Sequence, residues 1–78
     1  MSTTQTLTFG QRACGVSFNP GGNPAVAAAK EQFAALVDTL HAGREATTDP
    51  EVKRMFSIAI TEVQSAQMWA VKAITWNL

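Results

Sequence analysis

From Pro50 to Trp76 no Gly or Pro interrupts the chain, and the stretch ends in Met68-Trp69-Ala70-Val71-Lys72-Ala73-Ile74-Thr75-Trp76. A helix of about 27 residues is roughly 40 Å long. Its apolar side chains spread over too much of its circumference for one partner helix to cover. A chain of 78 residues cannot supply the missing cover itself. So small a domain buries a limited fraction of its surface and needs a staple, a metal or self-association. Cys14 is the lone cysteine, which excludes an internal disulfide. Cys14 and His41 are the only soft ligands, and a structural zinc wants four, so no metal site is expected. Self-association remains. A homo-oligomer is expected, with the grooves between subunits as the first place to look for function.

Six basic residues balance six acidic ones. A strongly basic face for duplex nucleic acid or anionic lipid is therefore absent, although a few placed cations can still grip a small anion. The apolar runs are short and punctuated by charge, so no membrane span is expected. The single thiol and the lack of a signal sequence fit a reducing cytosol.

Two regions are expected: an N-terminal extended arm over residues 1–22 and a helical hairpin over residues 23–78, in a single all-α domain. In the arm, Thr6-Leu7-Thr8-Phe9 alternates polar and apolar and predicts a short strand-like stretch. Gly10, Gly15, Pro20, Gly21 and Gly22 prevent a long helix there. Asn23-Pro24 then starts the first helix, with Asn as cap and Pro at the first helical position. It is expected to run to His41 or Ala42 and to end at Gly43. Val26, Ala29, Phe33, Leu36, Val37 and Leu40 form its apolar stripe, and Lys30, Glu31 and Asp38 decorate the rest. Residues 44–48 connect to a second helix that Asp49-Pro50 starts in the same way. Its stripe is Val52, Phe56, Ala59, Ile60, Val63, Ala66 and Ala70, with Met55, Ile58, Trp69 and Trp76 outside it. Symmetry about the short connection makes the helices antiparallel and sets Lys30 opposite Glu62, an exposed ion pair worth little. The same count gathers Phe18, Asn23, Lys30, Trp69, Lys72 and Trp76 at one end.

No Ser-His-acid, Cys-His or paired-carboxylate arrangement stands out, so no enzyme and no catalytic residue is expected. His41 reads as a helix-end cap or a solvated side chain. Cys14 reads as a small arm residue without an activating base. Asn19-Pro20-Gly21-Gly22-Asn23 leads into a helix N-terminus, where backbone N–H groups favour phosphate, and Lys30 follows on the side of Asn23. The same residues also make an ordinary loop and cap. Phe18 on the arm is the better candidate to stack on a base, whereas Trp69 reads as subunit interface. Lys53 and Arg54 oppose the dipole at the second helix start unless Glu51, Asp49 or a ligand compensates. Ser57 and Thr61 either bond back to the preceding turn or donate to a ligand shared among copies.

Phe18-Asn19-Pro20-Gly21-Gly22-Asn23-Pro24, followed by Lys30 and Leu36-Val37-Asp38, resembles the helical hairpin shared by phage anti-CBASS and Thoeris anti-defence sponge proteins. Ala66-Gln67-Met68-Trp69-Ala70-Val71-Lys72-Ala73-Ile74 is similar as well, and the resemblance spans Gly10 to Asn77. It implies a phage protein acting in the host bacterial cytoplasm. Such a protein binds cyclic di- and trinucleotide messengers without cleaving them and so stops CBASS effector activation. It further implies a compact homohexamer with ligands at subunit junctions and no cofactor. The Thoeris branch carries extra chain and binds cyclic ADP-ribose derivatives, so the anti-CBASS branch is expected. Carried over by position, Phe18 is an arm aromatic that stacks on a base, and Lys30 is a cation that meets phosphate. Arg54, Ser57 and Thr61 line a pocket repeated about a threefold axis. The expected ligand-binding set is Phe18, Asn19, Gly22, Asn23, Lys30, Arg54, Ser57, Thr61, Trp69 and Lys72. A protein–protein adaptor using the same apolar faces, and a sponge for cyclic ADP-ribose signals, stand as alternatives.

Overall fold

The computed structural model describes residues 6–77 and consists of helices α1 (Phe9–Ala13), α2 (Pro24–Ala46) and α3 (Pro50–Ile74). The first five residues of the expected arm, and the last of the hairpin, lie outside the described residues. The chain is all-helical there, with no strand among the described residues. Both long helices begin where the Asn-Pro and Asp-Pro pairs predict. Asn23 Oδ1 accepts from the N–H groups of Ala25 and Val26 at 2.9 and 3.2 Å, and Asp49 Oδ1 accepts from Glu51 N–H at 2.9 Å. No described helix is long and apolar enough to cross a membrane.

The arm is not extended at Phe9. Thr8 caps α1 instead: its hydroxyl accepts from Gln11 N–H at 3.0 Å, and Gln11 Oε1 accepts from Thr8 N–H at 2.9 Å. This reciprocal pair is a capping box, and it outweighs a two-residue alternation. α1 is then held at both ends by α2. Asp38 Oδ1 accepts from Gly10 N–H at 2.7 Å, near the free donors of the first turn. Lys30 Nζ donates to Gly15 O at 3.1 Å, just past the last turn. From α3, Gln64 Nε2 donates to Ala13 O at 3.2 Å.

Gly43 does not end the first helix. α2 continues to Ala46, and Lys53 Nζ donates to Arg44 O at 3.0 Å, so one of its last carbonyls is satisfied from α3. Gly43 is there for space: a Cβ at this position would lie 2.5 Å from Phe56 Cζ. The extra turn changes the register of the hairpin. Gly43 meets Phe56 and Arg44 meets Ser57, so Lys30 comes level with Val71 and not with Glu62.

The buried faces shift accordingly. Val26, Lys30, Ala34 and Val37 are buried on α2, while Leu36 is exposed. The reason is α1, whose Gly10 lies directly on the Ala34 carbonyl and covers that side. On α3 the buried residues are Ile60 and Gln67, and Ala66 is exposed. Cys14, Ala34, Val37 and Ile60 form the core cluster, with Ala13, Val16, Phe33, Leu40 and Val63 packed against it. The molecule measures 44 × 37 × 12 Å, so it is a layer about one helix thick.

The two close-packed glycines should respond differently. At Gly10 the obstacle is the Ala34 backbone, which cannot yield. Gly10→Ala should lower stability by about 1–3 kcal/mol through overpacking. At Gly43 the obstacle is the Phe56 ring. Ala also gains about 1 kcal/mol of helix propensity there, so the net loss should be smaller. Denaturant titrations of the two variants check this, and an equal or reversed order would contradict the packing account.

Candidate functional site

The corner where the arm meets α2 and α3 holds half of the expected ligand residues: Phe18, Asn19, Asn23 and Lys30 line it, and Gly22 lies in its loop. Gly15 and Gly22 have φ of +62° and +61°, a conformation only glycine adopts without strain. These two residues bend the chain so that Phe18, Pro20 and Gly21 line a depression of about 280 Å³. Asn23, Val26 and Lys30 line it from α2, and Val71 and Thr75 from α3. Apart from a few atoms its lining is apolar.

Phe18 is 70 % exposed, and Lys30 beneath it is only 6 % exposed. Lys30 Nζ donates to Gly15 O and to Phe18 O, and lies 5.5 Å from the Phe18 ring centroid. Two of its three N–H donors therefore hold the arm, and one is left over. Among the described residues Lys30 makes no ion pair with Glu62, because the register carries Glu62 away from it. The start of α2 is also less open than its sequence suggests. Asn23 Oδ1 takes the N–H groups of Ala25 and Val26, and Asn23 O takes that of Ala27. Asn19 O accepts from Gly22 N–H, and the Asn19 side chain bonds both N–H and C=O of Asn23. These donors serve the loop, so the phosphate contact expected from them is not on offer here.

Trp69 and Lys72 lie elsewhere. Lys72 Nζ is 5.3 Å from the Trp69 ring, and with Ala73 and Trp76 they border an open depression of about 440 Å³ on the outer side of α3. Trp69 and Trp76 are 67 % and 72 % exposed. The register shift turns Val71 and Thr75, not these residues, toward Phe18.

Arg54, Ser57 and Thr61 do share one depression, of about 390 Å³, together with Ile58 and Glu62. Arg54 is paired with Glu51 through Nη2–Oε2 at 2.6 Å and Nε–Oε1 at 3.0 Å. That pair offsets the unfavourable placement of a cation at a helix start. Thr61 Oγ1 donates to Ser57 O at 3.1 Å. Ser57 Oγ accepts from Arg44 Nη1 at 3.0 Å, so its own hydrogen is free. Sequence reasoning missed Arg44 because it was placed in the connection. The signal was available only once the helix is carried past Gly43. The same extension relocates His41 to a helix interior. It stacks on Phe9 with ring centroids 4.2 Å apart and planes at 10°, and its Nδ1 lies 3.0 Å from Arg44 Nη2.

Cys14 is buried in the core, not loose on the arm. Burial pushes its thiol above the ordinary range, the Asp38 carboxylate adds to that, and Lys30 opposes it.

Residues 16–75 match a known family, described as the Acb2/Tad1 hairpin domain. The chain belongs to that family. It is the family of phage anti-CBASS and anti-Thoeris sponges, proteins of a binding type. No curated protein and no solved structure matched the chain. The family match begins at residue 16, so it takes in the Phe18 corner, α2 and α3 and leaves out α1.

Lys30 holds the arm and acts on the Cys14 thiol through its charge, and the two effects separate by thiol labelling. Lys30→Met removes a cation that lowers the Cys14 pKa, so electrostatics alone would slow labelling. Loss of the two bonds to Gly15 O and Phe18 O should instead loosen the turn, destabilise the fold by about 1.5–3 kcal/mol and speed labelling. Slower labelling at unchanged stability would show that the arm does not depend on Lys30.

Proposed function

We propose that this chain sequesters cyclic di- and trinucleotide messengers without cleaving them and thereby blocks CBASS effector activation in the cytoplasm of the infected bacterium. The observation that carries the proposal is the exposed Phe18 ring over the buried Lys30 ammonium, at the rim of an apolar depression within the family's hairpin. A π-face exposed beside an apolar wall suits a planar base, and base–aromatic stacking contributes about 1–3 kcal/mol per base. The third Lys30 N–H serves a phosphate oxygen. Its attraction for that oxygen is strengthened by burial, because the effective dielectric is lower there. Asn19, Gly22 and Asn23 act by shaping the loop.

In this proposal the protein works as a homohexamer. Met55, Ile58, Met68 and Trp69 stand exposed on α3 and Trp76 just past its end, and a layer 12 Å thick cannot fold over to cover them. Trp69 and Lys72 then belong to subunit contacts. The Arg54, Ser57 and Thr61 depression, backed by Arg44, would close against its own copies as the trinucleotide pocket. No chemistry is asked of His41, whose Nδ1 is engaged by Arg44.

Isothermal titration of the purified assembly with a cyclic dinucleotide and a cyclic trinucleotide, with ligand recovered afterwards, is the test. Saturable binding with intact ligand is expected. Phe18→Ala should weaken dinucleotide binding about 10- to 100-fold at unchanged melting temperature, as the loss of one stacked base predicts. No heat with either ligand would sink the proposal and favour cyclic ADP-ribose species or an adaptor role.

A further inference from the structure

A second cluster of aromatic and cationic side chains lies at α1, whose Phe9, Arg12 and Ala13 precede the residues matched to the family hairpin and meet Gln64, His41 and Arg44 from within it. Phe9, Arg12, Ala13 and Gln64 line an open depression of about 370 Å³, more polar than the Phe18 corner. We infer that this depression is a separate subsite for a nucleotide-class ligand, a planar heteroaromatic ring carrying phosphate. The ligand class rests on the proposal above, and the location does not.

Each side chain offers one element of recognition. Phe9 is 39 % exposed. His41 stacks on its ring and the Arg44 guanidinium lies 5.4 Å from its centroid. The ring is thereby fixed in orientation while part of it borders the depression. Gln64 Nε2 donates to Ala13 O, which fixes the amide and leaves Oε1 to accept from a base edge. Arg12 is exposed and, among the described residues, takes part in no ion pair or side-chain hydrogen bond. Its planar fork suits phosphate oxygens. The acid placed against α1, Asp38, accepts from Gly10 N–H with Oδ1. Arg12 and Arg44 therefore leave a local excess of positive charge in a protein of zero net charge.

The full chain, labelled with nitrogen-15, is titrated with 5′-AMP, with inorganic phosphate and with cyclic di-AMP, and the side-chain N–H signals of Arg12 and Gln64 are followed together with the Phe18 backbone N–H and the Asn19 side-chain amide of the corner. Saturable shifts with 5′-AMP, several-fold weaker with phosphate alone, are expected. Arg12→Gln removes no side-chain hydrogen bond or ion pair among the described residues, so the fold should persist while 5′-AMP affinity falls at least fivefold. Phe9→Leu keeps the apolar volume and should cost about tenfold by losing the π-face. Phe18→Ala should leave these signals unchanged. If the corner responds to cyclic di-AMP while Arg12 and Gln64 do not respond to 5′-AMP, the subsite is refuted and the proposed function stands. Shifts that survive Arg12→Gln at full affinity also overturn the subsite. Silence in all titrations removes both.

Discussion

A layer about 12 Å thick has little interior, and this fold is organised around that limit. With about 12 Å between its faces, side chains can be buried only along the seams where helices meet. Seams bury little, so they must be tight. Gly10 against the Ala34 carbonyl and Gly43 against the Phe56 ring are the two places where backbone approaches closely enough to exclude a Cβ. The buried apolar residues, Cys14, Val26, Ala34, Val37 and Ile60, are small or medium in size for the same reason. The large ones, Trp69, Trp76, Met68 and Phe18, stay outside.

The same limit explains the use of Lys30. A short arm cannot be held to a thin layer by apolar contact alone. Two hydrogen bonds from one ammonium tie the Gly15 and Phe18 carbonyls to α2, and Asp38 ties the other end of α1. A charged donor makes stronger bonds than a neutral one. It also survives burial better when its bonds are satisfied. The arrangement leaves one cationic N–H at the base of the corner, so the residue that builds the site is also the one that gives it charge.

The helix starts were legible because Asn23-Pro24 and Asp49-Pro50 act locally, through caps that need no tertiary partner. The long uninterrupted α3, its exposed Met55, Ile58 and Trp69, and Trp76 just past its end were legible from the absence of Gly and Pro and from the apolar pattern. The end of α2 was not. A lone glycine near a helix end favours termination locally, and only the Phe56 ring across the seam explains why Gly43 sits inside the helix. That single turn moved the register, took Lys30 from Glu62 to Val71, and sent Trp69 and Lys72 away from the corner. The capping box at Thr8 and Gln11 was visible in the sequence, and two-residue alternation hid it. The pairing of Phe18 with Lys30 was legible, whereas the engagement of the α2 N–H groups by Asn19 and Asn23 was not, since it depends on how the loop closes.

The corner's composition bears on how a ligand would be held. Its lining is apolar, its loop amides are largely used internally, and its one cation is already two-thirds engaged. A cyclic dinucleotide carries two phosphates, and an exposed phosphate resists removal from water unless several donors replace its hydration. One Lys30 N–H falls short of that. Under the proposed function, a single chain would supply the stacking surface and the floor of a site and would lack the donors to complete it. The missing donors would then come from solvent or from another copy. A layer that leaves its largest aromatic side chains exposed is suited to meeting such a copy, so one assembly would complete both the corner and the cover of α3.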